Sequence, residues 1–183
     1  MIPVVTVAEM GAIDAEATDP VDVLIDRAGA AVARAAVAML GGTYGRRVVV
    51  LAGKGNNGAD GRVAAERLRR RGVRVVEVDA ADPTPVLPDA DLVIDAAYGT
   101  GISRDFVAPD PGSAMVLAVD IPSGIHGDTG AAVGRPMVAD CTLTFAALKP
   151  GLLLGAGPDH AGLVEVADIG LDRECEIVQR ELR

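Results

Sequence analysis

Tryptophan is absent from this 183-residue sequence, and the three aromatic residue types together make up only 2% of it. Val, Leu, Ile and Ala must therefore fill the core, as they do in a buried parallel sheet covered by Ala-rich helices. This composition favours an α/β fold over a β-sandwich. The length is enough to close one core and too short for two ordinary enzyme domains, so we expect a single domain over residues 1–183.

Cysteines and long apolar runs are also scarce. Cys141 and Cys175 stand in unlike contexts without C-x-x-C spacing, which argues against a disulfide framework and against a zinc site. No stretch approaches the ~20 apolar residues of a membrane span, and residues 1–5 lack the basic start of a secretion signal. We therefore expect a cytoplasmic protein with no membrane partner.

Positive charge is in deficit, with 17 Lys and Arg against 26 Asp and Glu and a net charge of −9. Such a chain repels a nucleic-acid backbone unless a local basic patch compensates. The densest basic run, within residues 67–71, falls at the end of a predicted helix, where cations suit the negative end of the helix dipole. We therefore expect no nucleic-acid partner.

The apolar residues are spaced as in a sheet with covering helices. Helical spacing before residue 40 predicts two N-terminal helices, broken near Pro20. A β-branched run at residues 47–52 and helical spacing at residues 58–71 predict a β–loop–α unit. Further strands are predicted at residues 73–78, 91–96, 115–120, 140–145 and 163–166. This order predicts a Rossmann-like three-layer sandwich with a mostly parallel sheet.

The first polar loop, residues 53–61, follows a predicted strand, where ligands of open α/β sheets bind. Its glycines match G-x-G-x-x-G, and an acidic residue at 77 or 79 stands where a dinucleotide fold places its ribose ligand, so an NAD-dependent oxidoreductase is one alternative. However, Asn56, Asn57 and Asp60 add side-chain oxygens that a pyrophosphate cradle does not need. Such donors suit a hard cation or a polar ring better.

The second polar loop begins with Asp95 at a strand end and continues through a Gly-rich turn to Arg104. Glycines let the backbone approach a ligand, and a guanidinium can bind a phosphate in an otherwise acidic protein. An Asp after a strand is also a common turn or helix cap, and this alternative stays open for Asp95.

The third polar loop begins with Asp120 at the end of an apolar strand. Partial desolvation there raises the pKa of a carboxyl toward the range that is useful for acid–base catalysis. The alternative is that Asp120 accepts hydrogen bonds from the backbone of its own turn.

Taken together, these loops resemble the N-terminal YjeF domain family, the NAD(P)HX epimerases. The matching motifs occur in the family's order and span most of the chain: Asn56–Gly61, Ile94–Ala96, Gly99–Gly101, Val119–Gly124, Asp128–Gly130, Thr144–Phe145 and Lys149–Gly151. The resemblance implies an isomerase that interconverts R- and S-NAD(P)HX, the C6-hydrated forms of NADH and NADPH, in nicotinamide nucleotide repair.

The resemblance also implies a homodimer with a potassium ion beside the substrate. The potassium ligands of the family correspond to Asn57, Asp95 and Ser123. Its substrate contacts correspond to Asn56, Asn57, Gly58, Ala59, Asp60, Gly99, Thr100, Gly101, Ile102, Ser103, Arg104, Asp105 and Asp120. Many relatives carry an NAD(P)HX dehydratase domain, so such a dehydratase, fused or separate, is the implied functional partner.

The chain departs from the family pattern at several places. Ala59 replaces a usual glycine, Tyr98 a usual phenylalanine, and residues 125–127 a more acidic stretch. The segment 104–115 is shorter than usual and contains two prolines, which predicts that a crossover helix is missing there. Lys149 precedes Pro-Gly and is interpreted as structural, because that pair forces a turn beside it.

The implied reaction needs few catalytic groups. Hydrated NADH is a hemiaminal whose C6 hydroxyl leaves as the N1 lone pair forms an iminium, and water returns on either face. One carboxyl is enough to protonate the leaving hydroxyl and deprotonate the incoming water, and Asp120 is the candidate.

Two other functions remain as alternatives to the epimerase. A similar domain in RNA-decapping enhancer proteins serves as a non-catalytic binding and dimerisation module. A pure scaffold has no need to keep Asn57, Asp95, Asp120 and Ser123 together, which favours catalysis. An oxidoreductase needs a substrate pocket, and no second domain is visible in the sequence to build one.

Overall fold

A computed structural model describes residues 3–82, 84–102 and 104–171; Ser103 and Cys175 lie outside the described residues. The helices are α1 (Val7–Glu16), α2 (Val21–Leu40), α3 (Asn56–Arg70) and α4 (Gly157–Ala161), with one 3₁₀ turn at Pro150–Leu152. The strands are β1 (Arg47–Ala52), β2 (Arg74–Asp79), β3 (Leu92–Ala96), β4 (Phe106–Val107), β5 (Met115–Val119), β6 (Gly134–Arg135), β7 (Cys141–Phe145) and β8 (Leu163–Ala167). Within the described part of the chain, no helix is long and apolar enough to cross a membrane.

Six strands form one sheet in the order β2-β1-β3-β5-β7-β8, and every neighbouring pair is parallel. The predicted α/β class with a mostly parallel sheet is therefore confirmed. Because β2 and β3 lie on opposite sides of β1, the direction of winding changes between β1 and β3. In open α/β sheets this change opens a crevice at the carboxyl ends of the strands, where ligands bind.

The central strands are buried on both faces, as their continuous apolar sequences predict. All five residues of β3 are buried, and so are five of the six residues of β1. On one face, α2 and α3 pack against the sheet through many small residues, among them Ala28, Ala36 and Ala64, which are almost inaccessible to solvent. Small side chains at these positions let the two helices lie close to the sheet and to each other.

The opposite face of the sheet is covered by loops and by a small two-stranded sheet. In the segment 104–115 no helix is present among the described residues, as its shortness and its prolines predict. Instead, β4 pairs in parallel with β6, and Phe106 packs with Met137 over the sheet. This irregular layer takes the place of the crossover helix.

The N-terminal helix is tied to the loop after β5. Thr6 and Glu9 form a reciprocal capping box, with the Thr6 N–H donating to the Glu9 carboxylate at 2.7 Å. The Val7 N–H donates to Oδ1 of Asp128 at 2.7 Å, over a separation of 121 residues. The Asp-Thr-Gly motif thus anchors α1, which in turn forms one wall of the cavity described below.

Candidate functional site

A cavity of about 850 Å³ opens at the carboxyl edge of the sheet, between α1, α2 and the N-terminus of α3. Nine of the residues predicted to contact a substrate line it: Asn56, Asn57, Asp60, Gly99, Thr100, Gly101, Ile102, Arg104 and Asp120. The three polar loops of the sequence therefore converge on one space. Its volume suits a ligand of the size of a cofactor.

Three of the other predicted contacts do not line this cavity. Gly58 is buried, Ala59 is half-buried, and Asp105 points to solvent. Ser103 lies outside the described residues, so its predicted contact is not described. Asp95 and Ser123, the expected cation ligands, are fully buried and do not reach the cavity surface.

The loop after β1 ends earlier than its sequence predicts. Helix α3 begins at Asn56, two residues before the predicted start, so both asparagines belong to its first turn. Gly58 permits this tight turn, because a Cβ there would lie 1.9 Å from the carbonyl oxygen of Gly53. The N-cap residue Gly55 offers no side-chain cap. The first N–H groups of α3 thus have no side-chain acceptor at the N-cap, and such a terminus suits an anion.

Asp95 and Ser123 form a buried pair that links β3 to the loop after β5. The Ser123 hydroxyl donates to Oδ1 of Asp95 at 2.6 Å, and the Ser123 N–H donates to Oδ2 at 2.8 Å. Burial raises the pKa of Asp95 to about 6, although the hydrogen bonds from Ser123 lower it in part. Ser123 Oγ also accepts the N–H of Tyr98 at 2.9 Å. The pair therefore holds the start of the second polar loop in place.

Asn57 is the polar side chain without a protein partner in this region. Neither its Nδ2 nor its Oδ1 has a hydrogen-bond partner, and both atoms are buried. The side chain lies against Gly99, where an added Cβ would meet the Asn57 amide carbon at 3.5 Å. A buried amide without a partner costs free energy, which a ligand for that oxygen would remove.

Asp120 adopts an unusual backbone conformation at the end of β5. Its φ angle is 67°, in the left-handed region that residues other than glycine rarely adopt. The Asp120 N–H donates to the Leu143 carbonyl at 2.8 Å, and Oδ1 accepts the Thr144 hydroxyl at 2.9 Å. This conformation turns the carboxyl toward the cavity. Backbone strain of this kind is common at functional sites.

Lys149, interpreted as structural from the sequence, is a buried cation that lines the cavity and contacts Asp120. Its Nζ donates to Oδ1 of Asp120 at 2.5 Å, to Oγ1 of Thr144 at 2.9 Å and to the Phe145 carbonyl at 3.0 Å. Only 1% of the residue is exposed. A sequence signal existed, since Lys149 is the one charged residue in the run Phe145–Pro150. Such a lysine needs an acidic partner if it is buried.

Two more carboxyls belong to the cavity wall. Asp60, on α3, is 7% exposed, and burial together with the charges of Asp120 and Asp14 raises its pKa to about 8. Asp14 lies on α1 at the cavity edge. Desolvation raises its pKa, Lys149 lowers it and Asp120 raises it. The cavity therefore contains carboxyls in clearly different electrostatic environments.

Arg104 lies at the cavity mouth and is held by Tyr98. Its Nη2 donates to the Tyr98 hydroxyl at 3.0 Å, and its guanidinium carbon lies 5.4 Å from the centre of the Tyr98 ring. The Tyr98 ring in turn packs edge-on against Phe106 at 5.5 Å between centroids. The tyrosine that replaces the usual phenylalanine thus provides a hydroxyl that orients the guanidinium.

The parallel sheet, the crevice at its winding reversal and the polar loops around it define an α/β protein of the Rossmann-like class. The family described as YjeF-related protein N-terminus matches residues 21–84 and 76–151. The chain belongs to this family.

Several characterised proteins are similar in sequence. The chain is 36% identical over 208 residues to an NAD(P)H-hydrate epimerase of Levilactobacillus brevis, a match that covers 93% of this chain and 95% of that protein. An NAD(P)H-hydrate epimerase of Limosilactobacillus fermentum is 38% identical over 155 residues, which is 67% of this chain and 74% of that protein. A bifunctional NAD(P)H-hydrate repair enzyme Nnr of Salinibacter ruber is 34% identical, and the match covers 95% of this chain and 43% of the longer protein.

A solved structure has the same fold. The crystal structure of the yeast protein ynu0 superposes with a TM-score of 0.65 at 20% sequence identity, covering 90% of this chain and 87% of the yeast chain. At this identity the comparison supports the fold alone.

Proposed function

We propose that this chain is an isomerase that interconverts the R and S epimers of NADHX and NADPHX. The observation that carries the proposal is the near full-length match to an NAD(P)H-hydrate epimerase, with 93% of this chain and 95% of the relative covered. The cavity adds chemical support, because an acid–base carboxyl and an anion-binding helix terminus open into one space. Both are needed by a reaction on a phosphorylated hemiaminal.

We propose Asp120 as a catalytic acid–base residue. Its carboxyl is held by Lys149 and Thr144 through Oδ1, which leaves Oδ2 without a partner among the described residues. A carboxylate fixed in this way is prepared to take a proton from water that attacks C6 of the iminium. General acid–base help of this kind contributes about 10²–10⁴-fold to a rate.

The polar ends of the cavity suggest how the dinucleotide lies. Its pyrophosphate fits the uncapped start of α3 at Asn56, with Arg104 as the second phosphate ligand. The hydrated ring then lies near Asp120. This arrangement uses the positive groups of an otherwise acidic chain for the charged part of the substrate.

We propose potassium as the cofactor, held by Asn57, Asp95 and Ser123. The residues fit this ion, because all three offer hard oxygen donors and the Asn57 oxygen is buried without a partner. The bound cation supplies a fixed positive charge that compensates the buried Asp95 carboxylate. The hydrogen bonds between Asp95 and Ser123 fix the loops after β3 and β5 to each other.

The same proposal extends to the partners of the chain and to its location in the cell. We infer a homodimer in the cytoplasm that works with an NAD(P)HX dehydratase. The names of the bifunctional repair enzymes support this pairing, and the chain spans less than half of those relatives, 43% of one and 40% of another. The composition, with two cysteines and an acidic surface, suits a reducing compartment.

The two alternative functions, a non-catalytic binding module and an oxidoreductase, explain fewer features of the site. A non-catalytic binding module has no use for a buried lysine bonded to a strained Asp120 at a cavity wall. An oxidoreductase would place its cofactor's pyrophosphate at the same helix terminus, but the described chain offers no second domain for a hydride acceptor or donor.

A coupled assay tests the proposed activity. R-NADHX is mixed with an S-specific dehydratase, and the recovery of NADH is followed with and without the purified chain. We expect the chain to speed the conversion of the R epimer well above its spontaneous rate, and the Asp120→Asn variant to lose this effect. No acceleration by the unmodified chain, with either NADHX or NADPHX, would contradict the proposed function.

A further inference from the structure

Two of the carboxyls that line the cavity, Asp60 and Asp120, come from different structural elements. Asp60 projects from the second turn of α3, whereas Asp120 lies at the end of β5. We propose that Asp60 is a second catalytic residue, which exchanges a proton with the C6 hydroxyl on one face of the ring while Asp120 does so on the other. The inference rests on the proposed epimerase function and assigns the acid and the base to separate residues.

The carboxyl of Asp120 accepts hydrogen bonds from a cation and from a hydroxyl. The Lys149 ammonium and the Thr144 hydroxyl both donate to its Oδ1, at 2.5 and 2.9 Å. An ammonium in contact stabilises a carboxylate relative to the neutral acid. Asp120 is therefore suited to be the carboxylate of the pair.

Asp60 has the opposite environment. It is 7% exposed and, among the described residues, has neither a hydrogen-bond donor nor a cation bonded to its carboxyl. The nearest cation along α3, Arg62, donates to the Gly53 carbonyl at 2.9 Å, and Arg27 on α2 pairs with Asp19 at 2.7 Å. The charged groups that line the cavity together with Asp60 are Asp14, Lys54, Asp79, Arg104, Asp120 and Lys149.

The two charged side chains that act most strongly on Asp60, Asp120 and Asp14, are both negative. Burial, and to a lesser extent the carboxylates of Asp120 and Asp14, together raise the pKa of Asp60 to about 8. Lys149 is already engaged by Asp120. At neutral pH, Asp60 is thus mainly a neutral acid that can donate a proton, in the same cavity as an ionised base. Two carboxyls with separated protonation states are the usual arrangement for acid–base catalysis.

The proton transfers balance without any further reactant. For the epimer with its hydroxyl on the Asp60 side, Asp60 protonates that hydroxyl, the C6–O bond breaks, and the N1 lone pair forms the C6=N1 iminium as water leaves. A water molecule then attacks the opposite face, Asp120 takes its proton, and the iminium electrons return to N1. The other epimer follows the same steps in reverse. When conversion continues in one direction, solvent water takes the proton from Asp120 and returns one to Asp60 before the next turnover, so the starting protonation states are restored.

This arrangement explains how one site reaches both faces of the ring. Epimerisation removes a hydroxyl from one face and adds water to the other, and a single fixed carboxyl has to serve both. With a carboxyl on each side, the ring does not need to turn over. In the intermediate both residues are ionised, and two carboxylates next to a cationic iminium stabilise it electrostatically.

The test compares Asp60→Asn with Asp120→Asn in the full chain. Asp159→Asn serves as the matched control, because Asp159 is exposed on α4 and does not line the cavity. Rates are measured from pH 6 to 10 in the coupled assay, and NAD⁺ binding is measured by calorimetry. We expect Asp60→Asn to lower kcat about 100-fold or more, with NAD⁺ affinity changed less than about threefold. We expect the rate of the unmodified chain to fall above about pH 8, and we expect this fall to be absent from the residual activity of the variant.

The outcomes separate this inference from the proposed function. If the unmodified chain is active, Asp120→Asn is inactive and Asp60→Asn keeps a near-normal rate, Asp60 is no catalytic residue and the epimerase assignment stands. If Asp60→Asn fails to fold, or if kcat and NAD⁺ affinity fall together, Asp60 serves structure or binding and the inference is wrong. An unmodified chain without activity overturns both.

Discussion

The Nζ atom of Lys149 lies 2.5 Å from Oδ1 of Asp120, and the two side chains are only 2% and 16% exposed. The pair connects the segment after β7 to the end of β5. Because Lys149 also donates to Thr144 and to the Phe145 carbonyl, its ammonium is fully hydrogen-bonded in a nearly dry environment. This contact connects the buried interior of the fold to the cavity.

Replacing Asp120 by Asn should separate chemistry from packing. The amide keeps the shape of the side chain but cannot accept a proton from water near neutral pH. We expect the rate of R-to-S conversion to fall about 100-fold or more, while dinucleotide binding changes by less than about 1 kcal/mol. Stopped-flow rates and calorimetry with NAD⁺ measure the two quantities. A variant that retains a near-normal rate would move the acid–base role to another residue.

Removing Lys149 should destabilise the fold through the charge that it leaves behind. Lys149→Met leaves the Asp120 carboxylate without its cation, and breaking a buried pair in this way costs about 3–5 kcal/mol. The double variant with Asp120→Asn removes both charges and should regain part of that loss. Urea unfolding at pH 7 measures the free energies. If the two effects add without coupling, the ion pair has no energetic role.

Arg104 should contribute to binding through its charge. We expect Arg104→Ala to weaken NAD⁺ binding about tenfold at low salt, because a charge-assisted hydrogen bond to phosphate is lost, and less at high salt. Tyr98→Phe, which removes the hydroxyl that holds Arg104, should have a smaller effect in the same direction. Arg71→Ala, at the far end of α3, is the matched control. Unchanged affinity in Arg104→Ala would mean that the phosphates bind elsewhere.

Asn57 and Ser123 should respond differently to truncation, although both are proposed cation ligands. Asn57 has no side-chain partner in the protein, so Asn57→Ala should abolish the stimulation by potassium with little loss of stability. Ser123→Ala breaks bonds to Asp95 and Tyr98 and should cost about 1–3 kcal/mol even without potassium. Activity titrations with KCl and thermal unfolding measure both effects. Potassium stimulation that survives Asn57→Ala would contradict the proposed site.

Asp60 should make the folded protein less stable as the pH rises. Its pKa is about 8 in the folded state and 3.8 as the reference value, so the folded state binds more protons between these values. The contribution of Asp60 to stability is therefore fully present below about pH 4 and is lost as the pH rises toward 8. The stability of Asp60→Asn relative to the unmodified chain should therefore increase between pH 4 and 8, by up to about 1.4 kcal/mol for each pH unit. A gain that does not depend on pH would contradict the raised pKa.

Most elements of the fold could be predicted from the sequence, because their signals are local. The predicted limits of β1 agree with the structure. Those of the other long strands differ by one residue, at both ends for β2 and at one end for the rest. The strands β4 and β6 were missed, since two residues carry no measurable periodicity. The start of helix α3 was predicted two residues too late, because its N-cap is a glycine, which provides no side-chain signal for the boundary.

The candidate site was only partly predictable. Motifs at strand ends indicated which residues meet, since parallel strands place their carboxyl ends at one edge, and nine predicted contacts line the cavity. The same motifs also suggested Gly58 and Ala59, which lie away from it. The contact between Lys149 and Asp120 was not predicted, because the two residues are 29 positions apart in the sequence. The catalytic, binding and cation-ligand roles of these residues stay predictions.

The sequence by itself determined that the protein is an α/β chain, because a core with few aromatics and many β-branched residues suits a buried parallel sheet. It also determined that the polar loops follow the strands. Only the tertiary structure decided which charges are compensated: Asp120 meets Lys149, while Asp60 is buried without a cation and Asn57 without a partner. The physical reason is that burial and pairing depend on distances between segments far apart in the chain, and these distances decide protonation and binding.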